Sequence, residues 1–232
     1  MKMNRTIKMI LLALGLVMVA MAFWTKTTYP SQAVWMPEGF KTPIVAFEFL
    51  QTNGEVKQFF GPESPARDQF VDQMQQGHQI DNFFLISYGL FLIAWAGYYF
   101  SERQNKFFVF VILLGLFAAV NDAIENQQLS YMTNYIETGK FDTELKHLFI
   151  ATWIKWGGLA LAMAGLAIRK WSRGWLGKVF AAVSAVTIVL GLVAFFNRSA
   201  VTTWFTMGIM AQFALLVVFA VVEVFGGKKS EG

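Results

Sequence analysis

The chain has 232 residues, of which 56% are hydrophobic and 15% are charged, and its mean hydropathy is +0.46. A soluble domain has about 45–50% apolar and about 25% charged residues, so this composition excludes an ordinary soluble domain and predicts a membrane protein. The chain has no cysteine and only two histidines, His78 and His147, which excludes disulfides, thiolate metal sites and multi-histidine metal centres. Its net charge of +4 lies in no basic run with interleaved aromatic residues, so nucleic acid is not an expected partner.

Six apolar runs are long enough to cross a bilayer as helices, and they predict an all-α, polytopic membrane helix bundle. Their continuity is unlike the alternating pattern of a membrane β-barrel. Between the first two runs, residues 25–82 are expected to form an extracytoplasmic segment, and residues 128–147 a second, shorter outer loop. The predicted spans are residues 9–24, 83–100, 107–127, 148–168, 175–196 and 200–225.

The first span, residues 9–24, has two interpretations. Basic residues within 1–8 precede it, and residues 20–22 (Ala-Met-Ala) have the small side chains of a signal-peptidase site. The apolar run continues through Phe23 and Trp24 beyond that site, which favours an uncleaved membrane anchor over a signal peptide. Either interpretation places the segment that follows this span, residues 25–82, on the outer side of the membrane.

The distribution of charged residues predicts the orientation of the helices. With the N-terminus inside, the cytoplasmic pieces are residues 1–8, 101–106, 169–178 and 226–232. These pieces hold eleven of the nineteen lysine and arginine residues, whereas twelve of the fifteen acidic residues lie toward the outer side. Since cytoplasmic loops are enriched in lysine and arginine, we expect both termini in the cytoplasm, in a bacterial inner membrane.

Residues 25–82 carry the turn and capping signals of a folded segment. Prolines punctuate the first part, and residues 44–51 predict a short amphipathic helix that carries Glu48. Thr52 and Glu55 predict a capping box at the start of another helix. Such a segment either lies in the membrane interface, anchored by its aromatic side chains, or covers an outward-opening pocket as a lid.

A further outer helix is predicted just before the second span. Ser64 as the N-cap and Pro65 at the first helical position start it. Gly77 is expected to end it, and Asp81 is then placed to cap the span over residues 83–100.

The strongest polar signal lies where the third span ends, at Asn121, Asp122, Glu125 and Asn126. Asp122 and Glu125 are three residues apart and therefore share one face of a helix. Lys155 lies inside the fourth span, where an isolated lysine costs about 2.5–3.5 kcal/mol, so it should face the bundle and find a partner. Because the third and fourth helices are antiparallel neighbours, we expect Lys155 to pair with Asp122 or Glu125.

Other polar residues relate to this cluster in different ways. Glu48, Asp81 and, in one interpretation, His147 join it if the outer segment folds back onto the bundle. His147 is expected to be an interfacial residue at a helix start, and Gln212 to form a hydrogen bond between helices. A carboxylate–lysine pair inside a membrane either marks a functional site or only staples two helices together.

Four short motifs follow one another between residues 44 and 168. They are Phe47-Glu48-Phe49, Asp81-Asn82-Phe83-Phe84, Asp122-Ala123-Ile124-Glu125-Asn126 and Lys155. In this order and position they resemble those of a group of uncharacterised bacterial multi-spanning membrane proteins. The resemblance implies that the charged residues form one cluster, and it implies no particular reaction.

Three functions are compatible with these features, and membrane lipids are an expected partner of each. The first is a binding site for a lipid head group or a small solute, built from Glu48, Asp81, Asn121, Asp122, Glu125, Asn126 and Lys155. The second is a non-catalytic assembly or accessory subunit that contacts a membrane-protein partner or a second copy of the chain. The third is a lipid-directed enzyme that uses carboxylates as acid and base or as ligands of magnesium or calcium. No recognisable nucleophile supports this third function, and no cofactor or metal site is predicted.

Overall fold

The structure, a computed structural model, describes residues 4–226, apart from the side chains of Arg103 and Thr138. The basic residues Lys2, Lys228 and Lys229, which contribute to the predicted orientation, lie outside the described residues. Within residues 4–226 the chain contains no β-strand, and a 3-10 turn, Ile136–Thr138, separates α5 from α6. The α-helices are α1 Arg5–Thr28, α2 Pro43–Glu48, α3 Asn53–Phe60, α4 Pro65–Arg103, α5 Phe107–Asn134, α6 Asp142–Lys170, α7 Gly174–Phe196 and α8 Ala200–Phe225.

Six of these helices, α1 and α4 to α8, are long and apolar enough to cross a membrane. The predicted all-α bundle of six spanning helices is therefore confirmed. The helices form a closed ring, because each packs against the next spanning helix in the chain and α8 returns to pack against α1. At this closure Nζ of Lys8 lies 3.5 Å from Oε2 of Glu223. We call this end of the ring, where α1 begins and α8 ends, the termini side.

Helix α4 corrects the prediction of two separate helices before and within the second span. Ser64 caps it as predicted, since its Oγ accepts a hydrogen bond from the N–H three residues later at 3.2 Å. The helix then continues through Gly77, and Asp81 lies inside it rather than at an N-cap. A single helical glycine costs only about 1 kcal/mol, which is too little to end a well-packed helix. Gly77 has a packing role instead: a Cβ there would lie 2.3 Å from Cδ1 of Tyr29, whose ring rests on the helix.

Residues 29–64 form a cap at the end of the ring opposite the termini side. The cap begins with irregular chain, as its prolines predict, and continues into the short helices α2 and α3. The predicted capping box at α3 is half confirmed: Oγ1 of Thr52 accepts from the N–H of Glu55 at 3.2 Å. The Glu55 carboxylate, however, accepts from the N–H of Gln51 at 2.7 Å, which ties the α2–α3 turn to α3.

Aromatic rings join the cap to the bundle. Phe47 of α2 and Phe59 of α3 are fully buried and stack with their ring centroids 5.0 Å apart. Phe59 also meets Phe70 of α4 edge to face at 5.4 Å. Beside them, the hydroxyl of Tyr29 and Nδ1 of His78 share a buried hydrogen bond of 2.8 Å. These contacts seat α2 against α5 and α6, so that Glu48, its last residue, enters the ring.

Gln212 joins α7 to α8, which confirms its predicted role between helices. Ser184 of α7 donates its hydroxyl to Oε1 of Gln212 at 2.6 Å. Nε2 of Gln212 in turn donates to Oγ1 of Thr187 at 3.1 Å. These two hydrogen bonds fix the position of α7 along α8.

Candidate functional site

The predicted pairing of Lys155 is confirmed, and it involves more partners than expected. Its Nζ contacts the carboxylate of Glu125, lies 3.3 Å from Oδ1 of Asp122 and lies 3.2 Å from Oε1 of Glu48. Each of these side chains is at most 7% exposed. One ammonium group therefore lies where three carboxylates converge from α2 and α5.

Helix length explains why these groups meet at one depth. Asp122 is fifteen residues from Phe107, where α5 begins, and Lys155 is fifteen residues from Lys170, where α6 ends. Both helix ends lie on the termini side, so at 1.5 Å per residue both groups stand about 22 Å from it. Since α5 and α6 are antiparallel neighbours, equal spacing from the same end brings them together.

Neutral donors complete the surroundings of the three carboxylates, and the sequence analysis did not identify them. The bonds are Tyr88 Oη to Asp122 Oδ2 at 2.7 Å, Thr152 Oγ1 to Glu125 Oε2 at 2.6 Å, and Trp156 Nε1 to Glu48 Oε2 at 2.8 Å. Thr152 lies three residues before Lys155, on the same helix face, and this spacing is a usable signal. Tyr88 is one of six tyrosines, and nothing local in the sequence distinguishes it.

Asp81 and Asn126 extend the cluster toward the cap. Nδ2 of Asn126 donates to Oδ2 of Asp81 at 2.8 Å, and Oδ1 of Asn126 is buried without a hydrogen-bond partner among the described residues. The Lys155 cluster thus comprises four carboxyl side chains, one lysine and one amide. Its members are Glu48, Asp81, Asp122, Glu125, Asn126 and Lys155.

Two polar residues near the cluster in sequence are not part of it. The structure corrects the prediction that Asn121 belongs to the site. Its amide donates to the carbonyl of Phe117 in its own helix at 2.8 Å. Successive helical residues differ by about 100° in direction, so a helix that turns Asp122 inward turns Asn121 aside. His147 is exposed near the start of α6, in agreement with the prediction that it lies outside the cluster.

The charge of the Lys155 cluster is unbalanced. If every group is ionised, four carboxylates face one ammonium, and a buried net charge is costly unless protons or a further cation compensate it. Burial raises the pKa of the Glu48 carboxyl; Lys155 acts against this, but Asp122 raises the pKa further, and the net shift is upward. The charge of Lys155 alone therefore does not balance the carboxyl groups of the cluster.

A cavity of about 190 Å³ adjoins the cluster where the cap meets α6 and α7. Its lining includes Glu48 and Thr152, aromatic side chains, and Arg198, whose guanidinium is paired with Glu55. The Trp153 ring lies 5.4 Å from that of Phe49 and 5.0 Å from that of Phe195, each edge to face. The cavity thus places ring faces next to a cluster carboxylate.

Lys170, at the other end of α6, is a second buried lysine that the sequence analysis missed. Its Nζ lies 3.6 Å from the ring centroid of Trp95 and 3.8 Å from that of Phe219. Within residues 4–226 it forms no ion pair, and its ammonium lies over these rings, with the Tyr99 ring centroid at 5.6 Å. Lys170 belongs to the basic piece predicted over residues 169–178, and its burial at the last residue of α6 is not evident from the sequence.

In the part of the chain that the structure describes, no group of three or more histidine, cysteine, aspartate or glutamate side chains has the geometry of a metal site. Comparison with models of known protein families, with curated proteins and with solved structures finds no match for this chain. Function is therefore inferred from the Lys155 cluster and the cavity beside it.

Proposed function

We propose that the protein binds a small ammonium-type cation at the Lys155 cluster, either as a free solute or as the amine of a lipid head group. The observation that carries this proposal is the set of three buried carboxylates around one lysine, with Asp81 bonded to Asn126 of the same cluster, beside a cavity lined by Glu48. The chain already holds one ammonium, that of Lys155, among three of these carboxylates. A second ammonium would compensate one of the negative charges that Lys155 leaves unbalanced.

The lining of the cavity suits a cation of this kind. Aromatic faces attract cations, and ammonium ligands are commonly held between aromatic rings and a carboxylate. Trp153, Phe49 and Phe195 supply rings, and Glu48 supplies the carboxylate. At about 30 Å³ for each water-sized group, a volume of about 190 Å³ holds about six such groups. A substituted ammonium ion fits this space, and a lipid would insert only the amine of its head group.

We infer that the protein lies in a bacterial inner membrane with both termini in the cytoplasm and the cap outside. This orientation is supported by the basic residues of the termini side, among them Lys8, Arg169 and Arg173, since cytoplasmic ends are enriched in lysine and arginine. In this orientation the cavity receives its ligand from the outer side of the membrane.

Cation binding at this site is coupled to proton release. Burial is the largest cause of the raised pKa of the Glu48 carboxyl, so this group takes up a proton more readily than an exposed glutamate. A cation that arrives beside Glu48 favours the ionised form and displaces the proton. Binding therefore strengthens as the pH rises.

The test uses the full chain in a maltoside detergent, which carries neither an amine nor a phosphate. Calorimetric titration with methylammonium and ethanolamine, in two buffers of different ionisation enthalpy, measures binding and proton release. Native mass spectrometry with phosphatidylethanolamine distinguishes a lipid amine from a free one. We expect saturable binding of at least one probe, accompanied by proton release.

Three variants locate the binding. Glu48→Gln and Trp153→Leu are expected to weaken binding about tenfold or more, which corresponds to about 1.4 kcal/mol or more. Trp153→Leu removes a ring without touching an ion pair, and Glu38→Gln, an exposed cap glutamate, is the matched control. The proposal fails if no amine probe binds saturably, or if both cavity variants bind as the wild type does.

A second candidate is a non-catalytic assembly or accessory subunit, and the hydrogen bonds from neutral side chains to the three carboxylates favour it. Each carboxylate that contacts Lys155 also receives a bond from a neutral side chain, so the network can hold three spanning helices and the cap together without a ligand. Combining Lys155→Glu with Glu125→Lys tests this role. If the exchange restores both folding and the cellular phenotype while ammonium binding stays absent, the cluster acts as structure alone.

A further inference from the structure

A groove of about 630 Å³ lies across the cap and shares no lining residue with the cavity at Glu48. Its walls come from four segments: the irregular part of the cap, α3 with the turn that follows it, the first turn of α4, and the 3-10 turn Ile136–Thr138. Val34, Trp35 and Ile136 supply apolar surface. The charged side chains in the lining are Lys57, Arg67 and Glu137, which give a net positive charge.

Arg67 is the buried charge of this groove. Its side chain is 10% exposed, its Nη2 is paired with Glu137, and its buried Nε has no hydrogen-bond partner among the described residues. The N–H groups at Nε and Nη2 form one edge of the guanidinium, and a phosphate or carboxylate can accept from both at once. Glu137 is 68% exposed, so this pair contributes little, and another anion can replace it.

Lys57 provides a second cation that is not engaged elsewhere. Its side chain forms no ion pair with any residue from 4 to 226, and it extends over the 3-10 turn. A Cβ at Gly139 would lie 2.4 Å from Cε of Lys57, and the backbone there has a φ of +58°. Glycine at this position therefore provides both the turn and the space through which the lysine reaches the groove.

We propose that this groove binds a phosphate ester that carries an apolar or ring-shaped group, either a soluble ester or the head group of a lipid. Arg67 holds two phosphate oxygens in place of Glu137, Lys57 adds a second positive charge, and Trp35 contacts the apolar part. The site does not depend on ammonium binding at the Lys155 cluster, because the two share no residue.

The experiment uses the full chain in a maltoside detergent with two probes. Phenyl phosphate, followed by calorimetry, represents a soluble ester, and phosphatidylglycerol, followed by native mass spectrometry, represents a lipid. Saturable binding of phenyl phosphate identifies a soluble ligand, and binding of phosphatidylglycerol alone identifies a lipid. Failure of both probes to bind overturns the proposal.

Four variants test whether the groove is responsible. Arg67→Lys keeps the charge but loses the two-donor edge, and Lys57→Gln removes a charge. Each is expected to weaken binding about tenfold, which corresponds to about 1.4 kcal/mol. Glu137→Gln removes the competing carboxylate and should tighten binding severalfold. Lys140→Gln, an exposed lysine outside the groove, should change nothing.

Lys57 and Glu137 are exposed, so their variants remain informative even if Arg67→Lys fails to fold. Opposite shifts in Lys57→Gln and Glu137→Gln support the site. Wild-type affinity in both variants shows that the anion binds elsewhere and overturns the assignment.

Discussion

Trp156 donates its indole N–H to Oε2 of Glu48 over 2.8 Å, while the preceding residue, Lys155, lies 3.2 Å from the other oxygen of the same carboxylate. Two consecutive residues of a spanning helix therefore hold both oxygens of a cap side chain. The cap and the ring are joined at the Lys155 cluster by charge as well as by apolar packing. Changes in the cluster should consequently affect the seating of the cap.

Lys155→Met is expected to destabilise the protein more than the combined variant Lys155→Met, Glu48→Gln, Asp122→Asn and Glu125→Gln. The single change leaves three carboxylates buried without their cation, and breaking a buried pair costs about 3–5 kcal/mol. The combined change leaves no charge uncompensated at these four positions. Thermal unfolding in detergent measures both variants, and a single variant at least as stable as the combined one contradicts this account.

Gly77→Ala is expected to destabilise the protein by about 1–3 kcal/mol, the usual range for overpacking. The new methyl would lie 2.3 Å from the Tyr29 ring, which is itself held by its bond to His78. Gly97→Ala is the matched control in the same helix, because a Cβ there meets nothing within 4 Å. It should be neutral or stabilising by up to about 1 kcal/mol. Equal unfolding temperatures for the two variants would argue against the close approach of Tyr29.

The pair formed by Arg198 and Glu55 predicts a loss of stability in acid. Burial raises the pKa of the Glu55 carboxyl, but the hydrogen bonds from Arg198 and from the Gln51 backbone outweigh it, and the pKa lies below its ordinary value. A lowered pKa means that the pair stabilises the folded chain above the unfolded pKa of about 4.3. This contribution fades as the pH falls from there through the folded pKa.

Unfolding measured between pH 7 and pH 3 for the wild type and Glu55→Gln checks the pH prediction. The difference in stability should be constant near neutral pH and disappear toward the acid end. Glu38→Gln, at an exposed cap position, serves as the control. A difference between wild type and Glu55→Gln that is the same at every pH contradicts the pairing.

Ser184→Ala is expected to weaken the contact between α7 and α8 by about 0.6 kcal/mol, and by no more than about 1.7 kcal/mol, the range for hydrogen bonds between membrane helices. It removes the 2.6 Å bond to Gln212. Ser101→Ala is the comparison, because among the described residues the Ser101 hydroxyl bonds only to the Tyr98 carbonyl of its own helix. Denaturation of both variants in mixed detergent measures the effect, and equal losses would contradict the link between the helices.

The features that the sequence predicts well are those that the bilayer imposes. Long apolar runs must become helices, and a lysine inside one of them must find a partner, so the six spanning helices and the pairing of Lys155 follow from local information. Whether Glu48 joins the Lys155 cluster depends on how the cap folds back onto the bundle. The sequence therefore predicts this contact only for a cap that does fold back. Tyr88 joins the cluster through its depth in α4, which depends on where that helix ends.

Two roles that the local sequence does not reveal have a common cause. Considered with its neighbours in sequence alone, Gly77 predicts a helix end, and Lys170 is one of the basic residues of a cytoplasmic piece. In the folded chain Gly77 makes room for Tyr29, and Lys170 lies against Trp95 and Phe219. Their partners are far away in sequence, so only tertiary packing determines these roles.

The order of the Lys155 partners along the chain bears on how the protein is made. Glu48, Asp122 and Glu125 all precede Lys155, so the ribosome synthesises every contacting carboxylate before the lysine. When α6 leaves the translocation machinery, the partners of its charged residue are already present in the preceding helices and the cap. Membrane insertion of α6 is therefore assisted by segments made earlier, and deleting the cap should hinder insertion of a helix that begins more than seventy residues after the cap ends.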